Sequence, residues 1–307
     1  MNVRETAAAS DQAQRIKGPL VWLDMDQQAL DDAYDQAVYA PNQPQVHARC
    51  AFNSERTRAR LGQPERLAYG PSEVERLDLF RTKAPNAPVN VFIHGGAWRF
   101  REVKNYHYMA EPYVRAGAHF VALDFTGVDK TGGDLRPMVE QVRRAIVWVH
   151  QNAKSFGGDP DRIFVSSHSS GGHLGGVMCV TDWEALGAPK DVIKGGLLVS
   201  GMYDLKPVRL SKRSSYVNFD DEIEQSLSSQ RHLDRLNCPL IVAYGTRETP
   251  EFQRQGREFA QAVEAAGKPV TLLVAEGYNH FEIPELLANP YSLLGDAVLK
   301  QMGLTGA

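Results

Sequence analysis

Six short and almost uninterrupted apolar runs constrain this chain more than any other feature: VNVFIHG at 89–95, HFVALDF at 119–125, RIFVSS at 162–167, GGLLVSG at 195–201, PLIVAYG at 239–245 and VTLLVAEG at 270–277. They are too short for buried helices and apolar at consecutive positions, so they read as strands covered on both faces. Helical patterns lie between them at about 105–116, about 137–155 and about 251–266, the second with Met138, Val142, Ala145, Ile146 and Val149 on one stripe. RLAYG and VERLDLF, from residue 65 onward, alternate like a hairpin ahead of the series. Strand and helix alternating in this way predict an α/β fold with a mainly parallel central sheet and helices on both faces.

The remaining segments set the organisation. Residues 20–42 carry Leu23, Leu30, Ala33, Tyr34 and Ala37 at helical spacing before Pro41, which predicts an amphipathic helix lying on the main body. Residues 1–64 are therefore expected to form an N-terminal extension with a covering helix, and 65–307 the main domain. Residues 205–235 interrupt the rhythm with a polar, Ser- and Asp-rich stretch, the expected position of a lid insertion.

Lys and Arg number 34 against 37 Asp and Glu, for a net charge of −3, and no long basic run occurs, which argues against a nucleic-acid partner. No apolar run approaches about 18 residues and the N-terminus lacks a signal-peptide core, so no membrane association is expected. Cys50, Cys179 and Cys238 are odd in number and widely spaced, outside any disulfide or zinc pattern. A cytoplasmic protein is expected, with a homodimer as the default assembly.

The chemistry is concentrated where RIFVSS runs into HSSGGHLGG. A strand passing sharply into a small-residue helix is the nucleophile-elbow pattern, with Ser169 at its apex and Gly171 supplying clearance on the far side. Ser167 stands where a first glycine is usual. The amide of Ser170, at the helix N-terminus, is placed to donate to an oxyanion. A second donor is expected after the strand VNVFI, in His94-Gly95-Gly96-Ala97-Trp98, from either Gly95 or Gly96.

A serine nucleophile needs a base, and the base a carboxylate, following in the order Ser, acid, His. His280 lies in a loop just past the last strand, and His173, one helical turn beyond Ser169, reads instead as a core histidine. Glu248 follows PLIVAYG by three residues, whereas Glu251 falls in the first turn of the next helix and reads as a dipole partner. No H-E-x-x-H or clustered His/Asp set appears, so neither metal nor cofactor is expected.

HGGAW, FGGDPDRI, HSSGGHL, SGMYDL, ETPEFQRQ and GYNHF together resemble the α/β-hydrolase superfamily over roughly 65–300, in the branch that holds kynurenine formamidase (arylformamidase) and related carboxylesterases. The resemblance implies a Ser169, Glu248, His280 triad, an oxyanion hole from the Gly95/Gly96 loop and Ser170, and an N-terminal helix whose Tyr34 helps cover the pocket.

The expected activity is that of a serine hydrolase acting through an acyl-enzyme on a small amide or ester, with an N-formyl arylamide as the leading substrate class. Candidate aromatic walls are Trp98, Tyr106, Tyr108, Tyr203 and Phe219, Trp98 foremost because it follows the oxyanion loop directly. Asp204 and Arg209 read as solvated charges. A general carboxylesterase acting on short-chain or aryl esters is the alternative activity. A non-catalytic binding module on the same fold is the alternative of another class, and such a module would be expected to lack a triad member.

Overall fold

The computed structural model describes residues 17–99 and 101–305; the polar stretch at 1–16 lies outside them. Strands β1 (Leu20–Trp22) and β2 (Met25–Asp26) pair antiparallel, and helices α1 (Gln27–Ala33), α2 (Gln36–Tyr39) and α3 (Gln43–Leu61) follow. The single helix expected from residue 20 is therefore corrected to a hairpin and two short helices. The cause is local: the Asp26 carboxylate accepts from the Ala29 amide and the Asp35 carboxylate from the Ala37 amide, so each starts a helix of its own. The 19-residue α3 has no counterpart in the sequence reading, because its buried residues are only Val46, Ser54 and Thr57, too polar a stripe to register as amphipathic.

Strands β3 (Glu65–Ala68), β4 (Arg76–Phe80), β5 (Ala87–Ile93), β6 (His119–Leu123), β7 (Gly158–His168), β8 (Ile193–Val199), β9 (Leu240–Gly245) and β10 (Val270–Ala275) form one eight-stranded sheet. Their order is β10-β9-β8-β7-β5-β6-β4-β3, parallel from β10 to β6, with β4 antiparallel to both β6 and β3. Helices α4 (Ala110–Ala116), α5 (Arg136–Asn152), α6 (Ser170–Cys179), α7 (Lys206–Leu210), α8 (Asp221–Ser226), α9 (Pro250–Ala265) and α10 (Leu293–Gln301) complete the chain.

Alternation along the strands divides the core in two. Phe92, Phe120, Val199 and Ala243 pack with α4 and α10 on one face, and Val91, Ile93, Leu198 and Val242 with α5, α6 and α9 on the other. The expected helices on both faces are present. The last apolar run departs from expectation: β10 is an edge strand whose Leu272 and Val274 are 37% and 42% exposed, that side of it being left open among the described residues.

The chain leaves β5 toward α4 and leaves β7 toward α6, on opposite faces, so the loops after these neighbouring strands diverge and open a crevice at their carboxyl ends. Segment 205–235 contributes Leu205, Val208, Val217, Ile223 and Leu227 to the same core as Val91, and Leu30 and Tyr34 of the N-terminal segment join it too. Among the described residues no helix is long and apolar enough to cross a membrane.

Because Leu30 is fully buried in that shared core, Leu30→Ala should lower the unfolding free energy by about 2–5 kcal/mol in urea titration. Loss of less than about 1 kcal/mol would mean that the N-terminal segment is not an integral layer.

Candidate active site

Residue 169 holds a backbone conformation that side chains avoid, φ 60° and ψ −125°, between the end of β7 and the first turn of α6. The turn is possible because its surroundings are cut to size. A methyl group on Gly171 would run into the Ile93 and His94 backbone carbonyls, so this position accepts glycine alone. On the near side Ser167 is fully buried, its hydroxyl donating to the Leu197 carbonyl at 3.3 Å. A Cβ on Gly175 would collide with the Ser167 hydroxyl, so the clearance usually supplied by a glycine at 167 is supplied here from α6.

Three loops converge on this elbow. His280, in the loop after β10, has Nε2 2.8 Å from Ser169 Oγ and Nδ1 2.8 Å from Glu248 Oε2. A carboxylate only accepts, so Nδ1 carries the proton and Nε2 is free to receive the serine's. The second Glu248 oxygen accepts from the Gly245 amide at 2.7 Å and the Ser200 hydroxyl at 2.6 Å, which fixes this buried carboxylate against the ring. Glu251 sits elsewhere: it ion-pairs with Arg254 and accepts from the Tyr34 hydroxyl at 2.9 Å, in the first turn of α9.

The loop after β5 packs directly against Ser169. A Cβ on Gly95 would lie 2.7 Å from Ser169 Cβ and 2.8 Å from the His168 carbonyl oxygen. Gly96, Ala97 and Trp98 then take φ of 130°, 57° and 59° in succession. That left-handed run is held from below, where Trp98 N–H donates to Ser170 Oγ at 3.1 Å and its indole N–H to His173 Nδ1 at 3.1 Å. His173 passes the connection on, donating from Nε2 to the Leu227 carbonyl at 3.0 Å.

Ser169, His280, Gly95, Gly96 and Ala97 open on a cavity of about 540 Å³. Tyr34, Tyr106 and Tyr108 line it, joined by Tyr216, Phe281 and His47. Trp98 and Tyr203, expected as walls, are not among its lining residues. Trp98 is turned under the loop onto His173 and Phe219, and Tyr203 stacks on Phe259 at 4.0 Å in the core, each buried because its ring completes the packing of α6 or α9. Phe219, a further expected wall, is likewise absent from the lining. Asp204 and Arg209 pair with Arg231 and with Asp221 and Glu224, away from the cavity.

Two contributors carried no assignment in the sequence. Ser200 anchors Glu248 from the end of β8, and its signal was its place at the tip of the strand beside β9. His168 donates from Nε2 to the His280 backbone carbonyl at 2.9 Å, with the two rings 4.7 Å apart. Burial, reinforced by the neighbouring His280, holds the His168 pKa well below the ordinary histidine range.

The sequence family described as BD-FAE matches residues 77–193. The chain is 31% identical to kynurenine formamidase of Danio rerio over 92% of its own length and 98% of the relative's. It is 32% identical to kynurenine formamidase of Salmo salar over 77% and 81%. Its backbone resembles the thermophilic esterase Est2 of Thermogutta terrifontis with a TM-score of 0.65 over 79% and 94% of the two chains, at 22% identity, a likeness that speaks to the fold alone. The architecture is the α/β-hydrolase fold.

Burial also lowers the pKa of His94 and of His173 to about 4. A depressed histidine binds its proton in the unfolded chain first, so the stability it contributes is present above about 6.5 and declines as pH falls toward about 4. The thermal midpoint should therefore fall across that window in differential scanning calorimetry. A flat profile there would contradict neutral burial of these rings.

Proposed function

The chain belongs to the kynurenine formamidase family of α/β-hydrolases and is a hydrolase of amide or ester substrates, and from that premise we propose that Ser169, His280 and Glu248 hydrolyse N-formyl arylamides through a formyl-enzyme. The observation that carries the reading is the continuous hydrogen-bonded chain from Ser169 Oγ through the His280 ring to the buried Glu248 carboxylate. Ser169 Oγ attacks the formyl carbon while His280 Nε2 takes its proton, and Glu248 holds the tautomer and steadies the imidazolium. The oxyanion is received by the Ser170 amide and by the Gly95/Gly96 loop. Collapse of the tetrahedral adduct breaks the C–N bond, and the leaving arylamine takes the proton back from His280 Nε2. Water, deprotonated by His280, then attacks the formyl ester and releases formate with Ser169 restored.

A small acyl group suits the geometry, because the Gly95 backbone lies so close to Ser169 that little room remains on that side of the carbonyl. The aromatic side chains of the cavity, Tyr34, Tyr106, Tyr108 and Phe281, offer faces to an arylamine leaving group. Tyr34, reached from the N-terminal segment, serves as a cover fixed by Glu251 and Gln255. The three free thiols, Cys50, Cys179 and Cys238, support a reducing, cytoplasmic setting.

Ser169→Ala should reduce kcat for formanilide hydrolysis by about four orders of magnitude or more with the fold intact by circular dichroism. Glu248→Gln should cost less, by roughly a factor of 100, since the base keeps its place but loses its orienting charge. Glu251→Gln should leave kcat within about tenfold of wild type, and a defect there larger than that of Glu248→Gln would reassign the acid. A fluorophosphonate should label Ser169 alone by peptide mapping; label on another serine would displace the elbow.

A further inference from the structure

His168, the residue before Ser169, is only half committed. It is 6% exposed and lines the cavity, and its Nε2 donates to the His280 backbone carbonyl at 2.9 Å. A carbonyl oxygen only accepts, so Nε2 carries the proton, and because burial keeps the ring neutral, Nδ1 is left as a bare acceptor. Among the described residues nothing donates to Nδ1, yet the atom is not sealed in. His94 makes the contrast. Its Nδ1 donates to the Gly95 carbonyl at 2.8 Å, and its Nε2, on a ring stacked with Tyr106 and Phe125, is buried with no partner and out of reach of a ligand.

The open nitrogen also lies beside Ser169. The point where a Cβ of Gly95 would stand is 2.7 Å from Ser169 Cβ and 3.4 Å from His168 Nδ1, so Ser169, Gly95 and this nitrogen bound one small space. Neighbouring groups are already engaged: the Gly95 carbonyl accepts from His94, and the two His280 nitrogens face Ser169 and Glu248. An amide brings to that space one group that an ester lacks. For His280 Nε2 to protonate the leaving nitrogen, the nitrogen lone pair must turn toward it, which directs the N–H elsewhere. Inside a desolvated site an N–H without an acceptor is costly, whereas an ester oxygen carries no such hydrogen.

We propose that His168 Nδ1 accepts a hydrogen bond from the N–H of the scissile amide as its nitrogen pyramidalises, and that His168 thereby favours amides over esters of the same shape. The inference rests on the reading of Ser169 and His280 as the acylating pair and deepens it. No proton passes to His168. The hydrogen bond strengthens in the transition state, the C–N bond breaks, and the nitrogen takes its second hydrogen from His280 Nε2, with the His168 ring neutral throughout.

The test reads kcat/KM, which reports acylation, for three substrates with the same ring and acyl group: formanilide, phenyl formate, and N-methylformanilide, which keeps the amide without the hydrogen. In His168→Gln the side-chain amide can still donate to the His280 carbonyl, but the ring acceptor is gone. Formanilide should lose about tenfold or more relative to both other substrates. His168→Asn places an amide oxygen near the position of Nδ1 and gives up the tie to His280, so it should lower all three together and keep their ratios; this holds the test open if the first variant fails to fold. A formanilide loss shared by N-methylformanilide or phenyl formate in the first variant, ratios unmoved there, or ratios that collapse in the second, would overturn the proposal and leave His168 as a support for His280 alone. Should the wild-type protein turn over no formamide, the formamidase reading fails by itself, and the acceptor is decided in the same variants by acetanilide against phenyl acetate. Cleavage of phenyl acetate with no anilide cleaved would overturn both.

Discussion

Residue 169 must stand at the end of a buried strand with its backbone in a strained left-handed conformation, and much of the molecule is arranged so that it can. The cost of such a conformation is of order 1–3 kcal/mol, and it persists only where the surroundings leave no alternative. Here β7 is locked between β5 and β8 by parallel ladders, α6 begins at once, and Gly171 lets that helix approach the carbonyls of residues 93 and 94. The turn presents Ser169 to the cavity at the end of the sheet. Geometry that would be improbable for a free peptide is thus imposed by the sheet.

A second strained segment faces the first. The positive φ values at Gly96, Ala97 and Trp98 are stabilised by contacts on the buried side of the loop, where Trp98 reaches Ser170 and His173, and His173 reaches Leu227. The loop after β5, helix α6 and the 205–235 segment are therefore joined by one run of polar contacts in an apolar core. Such networks are rigid when every member is satisfied, and the neutral tautomer of His173 satisfies both of its neighbours. The rigidity of the loop after β5 comes from beneath it rather than from the cavity.

Much of this was legible in the sequence because burial on both faces of a sheet leaves a distinctive signature. The strands β5 to β10 read as apolar runs, and Ser169, Glu248 and His280 lie past the ends of β7, β9 and β10, so order along the chain and position in space coincide. Where burial was one-sided or polar, legibility failed. The helix α3 docks through Val46, Ser54 and Thr57, the edge strand β10 keeps an apolar sequence with one side open, and Asp26 and Asp35 divide what looked like one helix. Trp98 was misjudged for a different reason: a place in the loop after β5 does not say on which side of that loop a ring will lie.

The exchange between Ser167 and Gly175 has an implication for how such elbows are defined. A pattern written as letters asks for glycine on both sides of the nucleophile, and a search on those terms passes over this chain. What the turn requires is a fixed amount of empty space, and that space has been moved from the strand to the helix, eight positions away in sequence. The two sites then form a single volume divided between two residues. Enlarging either one alone overfills it, and Leu198 Cδ2, 2.9 Å from where a Cβ at 175 would stand, bounds the same space. In relatives built on this turn the two positions are expected to vary together, and the recurring quantity is their summed size rather than the identity of either.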